Sequence, residues 1–196
     1  TIAILPSLVG GSVKIFAAES TGPIKSKLHP RLSTNSKWIW TVYLVLTIAC
    51  VASYKLCGMN WFDALNYAMT STATGGFATS GGSILSFHSI AEDYVCILFC
   101  FLSGVNFTFL YYSVVKGKVR QMFQHAEFRF YIMTIVISTL FIMVELIYRN
   151  HYDLEHAFRS SAFQVVSFIT TTRLFNDDAD KWPRVTWVVL SICMFV

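Results

Sequence analysis

Residues 61–77 read WFDALNYAMTSTATGGF. The part up to Ala73 is only half apolar and carries Asp63, Asn66, Thr70, Ser71 and Thr72. It is too short and too polar to cross a bilayer, which takes about 20 apolar residues. It reads as a short helix running into a Gly-rich turn, Thr74-Gly75-Gly76. Runs long enough to span lie on both sides: WIWTVYLVLTIACVASYKLCGM over 38–59 and YVCILFCFLSGVNFTFLYYSVV over 94–115. A short helix followed by open backbone, set between two spanning helices, describes a re-entrant pore loop. Non-helical backbone is tolerated at membrane depth only where protein buries it or it lines a water-filled path.

The pattern recurs. FYIMTIVISTLFIMVELIY over 130–148 is a third spanning run, and VTWVVLSICMFV over 185–196 begins a fourth. Between them, residues 154–169 form another short, half-polar segment that ends in Thr170-Thr171-Thr172. Sliding the chain by 97 residues lays Thr74-Gly75-Gly76-Phe77 over Thr171-Thr172-Arg173-Leu174. Internal repeats of this kind are common in transport proteins. The expected organisation is the end of a preceding inner helix (1–17), a connector (18–37), a complete helix–pore-loop–helix repeat (38–115), a linker (116–129) and a second repeat cut in its last helix (130–196). Both ends fall inside apolar runs, so the chain reads as part of a longer protein.

Composition agrees. Of 196 residues, 55% are hydrophobic and 13% charged, where a soluble domain carries about 25% charged residues. Charge placement gives an orientation. Lys14 stands just before the connector and Lys25, Lys27, Arg31 and Lys37 sit in it, against Glu19; Lys116, Lys118, Arg120 and Arg129 sit in the linker, against Glu127. Lys and Arg mark the cytoplasmic face, so connector and linker are expected inside and the pore loops enter from outside. The acidic residues, Asp63, Glu92, Asp93, Asp153, Glu155, Asp177, Asp178 and Asp180, then fall outside. There they are either ordinary solvated loop charges or a device that concentrates cations at a pore mouth. Trp38, Trp40, Trp61, Trp182 and Trp187 fall near the expected membrane boundaries, as an aromatic belt would.

Other polar features read as structural. Cys50, Cys57, Cys96, Cys100 and Cys193 lie in apolar helices, and none forms a CxxC pair. They are read as small buried hydrophobes. Glu145 and Arg149 stand at helical i,i+4 spacing and suit an ion pair. Gly104 and Asn106 interrupt the second spanning run, where Asn106 could line a pore or bond across helices. His151 and His156 share no helix face and have no carboxylate at zinc-ligand spacing. No nucleophile–base pair or metal cluster points to an enzyme, and nothing suggests nucleic acid as a partner.

Selecting a cation means replacing its water shell with fixed oxygens, and potassium filters use backbone carbonyls turned to one side. That requires left-handed backbone angles at some positions, which glycine takes without a Cβ clash. The helix before the turn would also aim its C-terminal dipole, about half a negative charge, at the cation path.

With these residues in view, Asn60-Trp61-Phe62-Asp63-Ala64 followed by Ser71-Thr72-Ala73-Thr74-Gly75-Gly76-Phe77-Ala78-Thr79 resembles the second pore loop of Trk-type, TrkH-like potassium transporters of the Trk/Ktr/HKT superfamily. Ala162-Phe163-Gln164-Val165-Val166-Ser167 through Thr170-Thr171-Thr172, with Asp177-Asp178 and Trp182-Pro183, resembles the third. Thr21-Gly22-Pro23-Ile24-Lys25 and Leu28-His29-Pro30-Arg31 are similar to the link before the second repeat. The resemblance implies an all-α integral membrane fold of repeated helix–pore-loop–helix units with potassium-channel-like architecture, four to a pore. It implies potassium uptake across a bacterial cytoplasmic (inner) membrane, down the ion's gradient or by symport, with no cofactor. It also implies a homodimer and a cytosolic nucleotide-binding regulatory subunit. The ion-binding residues it marks are Thr74, Gly75, Gly76, Thr171 and Thr172. The first pore loop, the fourth repeat and the family's gating loop are expected to lie beyond this chain.

One position departs from the family pattern. Arg173 stands where Gly is expected, opposite Gly76. Its guanidinium is permanently charged. At about 6 Å from a bound cation and an effective dielectric of ~20, repulsion is roughly 3 kcal/mol. Arg173 could block the filter, or swing out and pair with Asp177, Asp178 or Asp180. It could also mark a chain that has left potassium transport, as a non-conducting structural or sensory subunit or a relative permeable to sodium and potassium. If Arg173 lowers ion occupancy, Arg173→Gly should raise rubidium uptake, by up to about a hundredfold at limiting ion concentration. A flux assay with equal uptake by both proteins would remove Arg173 as a determinant.

Overall fold

Leu32–Leu56 and Ala126–Asn150, of 25 residues each, form the long helices α1 and α4. At 1.5 Å per residue each runs about 37 Å, more than the ~30 Å hydrocarbon core of a bilayer. Within them, Trp38–Leu56 and Ala126–Arg149 are long and apolar enough to cross a membrane. Both helices start before their apolar runs, because no Gly or Pro interrupts residues 32–37 or 126–129 and backbone hydrogen bonding does not stop where apolarity does.

The computed structural model describes residues 32–81, 83–87, 89–105, 110, 123–177 and 182–195. The expected helix end at 1–17, the connector up to residue 31, Asn106 and linker residues 116–122 lie outside the described residues. The shorter elements are α2 (Trp61–Ala73), a 3-10 turn (Ser83–Phe87), α3 (Ile90–Gly104), α5 (Leu154–Ile169) and α6 (Arg184–Cys193). The described residues contain no strand.

Contacts divide the chain into two units. To the first, the described residues contribute chiefly the start of α1, Leu32–Val45. The second, Leu46–Gly104 with Gln124–Val196, holds both short helices and the loops that follow them. Within it α5 packs against α3, α4 and α6, while α2 packs against α3. Phe163 and Val166 on one side of α5 join a core with Tyr54, Tyr67, Cys96 and Leu174. Ala157 and Val165 on another side join Ile142, Leu146, Trp182 and Leu190. Between these two cores the buried surface of α5 carries the small residues Ala157, Ser160, Ser161 and Ala162 beside Phe163, Val165 and Val166.

The face of α4 bearing Phe130, Met133, Ile137, Leu140 and Val144 is exposed. A continuous apolar face on a helix of spanning length suits lipid better than water. Glu145 and Arg149 pair at 2.9 Å, as their spacing predicts. All five cysteines are free and four are buried, with Cys96 and Cys100 sulfurs 3.7 Å apart. Among the described residues no His, Cys, Asp and Glu cluster could hold a metal. Trp182 departs from the belt expectation: it is buried, and its Nε1 donates to Asp177 Oδ2 at 3.3 Å.

Gly104 closes α3 at a point of close approach. A Cβ there would strike Tyr131 Oη and come within 2.7 Å of Thr170 Cγ2. Tyr131 needs that position, since it stacks on Phe101 and donates to the Phe101 carbonyl at 3.2 Å. Gly104→Ala should therefore destabilise the protein by about 1–3 kcal/mol through overpacking, read as a lowered midpoint of thermal unfolding in detergent.

Candidate functional site

The first loop grows out of the way α2 ends. Asn60 caps the start, its Oδ1 accepting from Trp61 N at 2.9 Å, and Asp63 complements the N-terminal dipole. At the other end Thr74 turns left-handed, φ 51° and ψ 39°, and its N–H bonds back to Thr70 O. Gly75 N donates to the same carbonyl at 3.0 Å. Gly76 is left-handed again, φ 75°, while Gly75 between them keeps a negative φ.

The second loop repeats this handedness in register. Thr171 (φ 58°) and Arg173 (φ 54°) are left-handed, with Thr172 negative between them. These are the partners of Thr74 and Gly76 in the 97-residue alignment. Alternating handedness turns successive peptide planes so that neighbouring carbonyls can face one side. Three of the four left-handed positions are not glycine, each at about 1–2 kcal/mol, so the surroundings must hold them. Arg173 adopts the left-handed angle despite its Cβ, with its N–H on Ser167 O at 3.3 Å.

Side-chain hydroxyls do the holding, also in register. Thr70 Oγ1 donates to Phe77 O at 2.8 Å, and Ser167 Oγ donates to Leu174 O at 2.9 Å. The aligned pairs 70/77 and 167/174 thus clip each outgoing loop to the helix before it. Tyr54 and Ser71 share a buried hydroxyl contact at 3.1 Å, which ties α2 to α1. Thr72 is turned away from the loop, donating to Ala68 O at 2.8 Å and lying 3.2 Å from Thr47 Oγ1. Thr172 Oγ1 lies 2.8 Å from Thr170 Oγ1 and packs the loop wall.

The loops meet. A Cβ on Gly76 would fall 2.6 Å from the Thr172 carbonyl oxygen. The five candidate residues Thr74, Gly75, Gly76, Thr171 and Thr172 therefore belong to two backbone segments brought side by side. Arg173 stands next to this contact with an exposed side chain and no ion pair among the described residues. Its expected pairing with Asp177 is not formed, and Asp178 and Asp180 lie outside the described residues.

The acidic residues do not behave as one group. Asp93 is buried and ion-paired with Arg159 of α5, and Asn176 Nδ2 donates to the same Asp93 oxygen at 3.3 Å. Burial pushes the Asp93 carboxyl above the usual carboxylate range, against the pull of Arg159 and Asn176. Arg159 Nε also reaches Glu155 at 3.1 Å. Neither Thr70 and Ser167 nor the Asp93–Arg159 pair could be picked from sequence as site residues. Only the matched offset between the two repeats hints at the hydroxyls.

Among the described residues the chain is all-helical, with two helices of spanning length and two paired, left-handed loops, the make-up of a membrane protein. The chain belongs to the TrkH family, described as cation transport proteins, whose family model matches residues 1–196. It is 33% identical over its whole length to the Trk system potassium uptake protein TrkH of Halomonas elongata, and 32% identical over 99% of its length to the Trk system potassium uptake protein TrkG of Escherichia coli. The crystal structure of the potassium transporter TrkH from Vibrio parahaemolyticus superposes with a TM-score of 0.81 at 30% identity, covering 92% of this chain and 38% of that one. The chain spans about two-fifths of the length of these relatives, 41% for the Halomonas protein.

Gly76→Ala should be poorly tolerated for two separate reasons, the left-handed φ and the Thr172 carbonyl. Together these should cost on the order of 2–4 kcal/mol. Thermal unfolding and flux on the purified variant should both fall, whereas Gly58→Ala, with open space around it, should cost only its positive φ, about 1–2 kcal/mol.

Proposed function

We propose that this chain is part of a potassium uptake pathway in which the two loops are walls of one selectivity filter. The observation that carries the proposal is the alternation of backbone handedness, in register, at Thr74 and Gly76 and at Thr171 and Arg173. Backbone of that form can offer a file of carbonyl oxygens to a dehydrated cation. The hydroxyl clips from Thr70 and Ser167 keep those oxygens from relaxing onto other partners. No covalent step is involved. The protein's task is to match the energy of lost hydration and to exclude ions that fit less well.

In this reading α1 with α2 and α3, and α4 with α5 and α6, are two of the four helix–pore-loop–helix repeats around one pore. The relatives' names, potassium uptake proteins, support potassium as the cargo. The Lys- and Arg-rich segments 18–37 and 116–129 lie on the cytoplasmic side and both loops enter from outside. A homodimer and a cytosolic nucleotide-binding regulatory subunit follow from the family resemblance.

The backbone of Arg173 does not force the non-conducting alternative, because it keeps the left-handed angle of its counterpart Gly76. The protein at its full natural length, reconstituted in vesicles, should take up rubidium in a saturable way. Potassium should compete better than sodium by tenfold or more, about 1.4 kcal/mol or above. Vesicles that take up no rubidium would favour a non-conducting subunit, and equal competition by the two ions would favour a sodium- and potassium-permeable relative.

A further inference from the structure

The segments leaving the two loops end on carboxylates, but the carboxylates come from different places. In the first loop Thr79 Oγ1 donates to Asp63 Oδ1 at 2.7 Å, and Asp63 belongs to α2, the helix just before that loop. The aligned positions in the second loop are Asn176, for Thr79, and Ser160, for Asp63. Ser160 has no carboxylate, and its hydroxyl is buried without a partner among the described residues. Asn176 bonds instead to Asp93, on α3 of the preceding repeat.

We propose that Asp93 is a positioning residue for the second filter loop, supplying from the neighbouring repeat the carboxylate anchor that α5 lacks. The inference rests on the reading of these loops as a filter. Asp93 is well placed for this role. It is 4% exposed, and one of its oxygens accepts from both Arg159 and Asn176. Arg159 is held in turn by Glu155, which also accepts from Tyr94 Oη at 3.3 Å. A planar guanidinium gripped by two carboxylates has little freedom, so Asp93 presents a fixed oxygen to Asn176.

The rest of the outgoing segment is tied residue by residue. Leu174 O is held by Ser167. Phe175 N donates to Ser83 Oγ at 3.1 Å, and Phe175 O accepts from Leu85 N at 3.3 Å. Ser83, Leu85 and Asp93 all belong to the preceding repeat. The second loop is therefore held from its own helix at one residue and from its neighbour at the next two. Any shift between the repeats at this point would move Arg173 and Thr172, and with them the oxygens facing Gly76. Among the described residues the segment leaving the first loop is anchored by Asp63 of its own helix.

Asn176→Ala removes the anchoring bond and leaves the Asp93–Arg159 pair intact. In vesicles containing the full-length protein, this variant should raise the rubidium concentration for half-maximal uptake and lower the rubidium-over-sodium preference. Each change should be about three- to tenfold, the net worth of one typical hydrogen bond. Its unfolding midpoint should stay close to that of the wild type. Asp93→Asn should lower the same preference, and Asp93→Asn with Asn176→Asp, which exchanges donor and acceptor, should restore it. Unchanged half-saturation and preference in Asn176→Ala would overturn the proposal even if Asp93→Asn failed to fold. A wild-type protein without rubidium uptake would overturn the filter reading, and this inference with it.

Discussion

Backbone that leaves a helix inside a membrane has no water to satisfy it, so every turned carbonyl must be either held by protein or offered to a passing ion. Thr70 and Ser167 hold the Phe77 and Leu174 carbonyls. In the proposed filter, the carbonyls between helix and clip are the ones offered to a cation. In the first loop the Thr70 carbonyl takes the entering N–H groups of Thr74 and Gly75, and its hydroxyl holds the Phe77 carbonyl on exit. In the second loop the Phe168 carbonyl takes Thr171 N–H on entry, while Ser167 holds the exit, its carbonyl accepting from Arg173 N and its hydroxyl donating to Leu174 O. These bonds at both ends hold the three non-glycine positions left-handed.

The two copies differ where they are buried. Phe77 is 80% exposed while its counterpart Leu174 is 1% exposed. The second loop sits against α3 and the 3-10 turn and is held by an ion pair rather than by a lone carboxylate. A buried ion pair is weak evidence for stability but imposes a specific geometry on whatever it touches. Here it touches Asn176, three residues past Arg173. For the filter proposed here, fixed geometry matters more than added stability, because discrimination between cations rests on the positions of the oxygens.

Much of the architecture was legible from the chain alone. The apolar runs 38–59 and 130–148 correspond to the spanning-length helices α1 and α4, and the half-polar segments to α2 and α5. The run 94–115 differs: its helix α3 starts earlier and is described only to Gly104, 15 residues long. The Glu145–Arg149 pair followed from spacing. The handedness of the Thr74 turn followed from its glycines only in part, since Thr74 itself is left-handed and Gly75 is not. The acidic residues were read as one group because sequence does not distinguish a solvated Glu155 from a buried Asp93. Trp182 was read as a belt residue because its position near a helix start says nothing of Asp177.

The sequence by itself determined what depends on neighbouring residues: membrane-length helices, short half-polar helices, and turns rich in Thr and Gly set 97 residues apart. These are properties of local composition and period, and they survive without knowing what packs on what. Tertiary structure alone decided that Gly76 lies under the Thr172 carbonyl, that Arg173 is turned as a glycine would be, and that Asp93 holds the loop of the following repeat. Each joins residues far apart in the chain, at distances where a few tenths of an ångström separate a hydrogen bond from a clash. That precision is set by the packing of α5 among its neighbours, and no pattern along the chain encodes it.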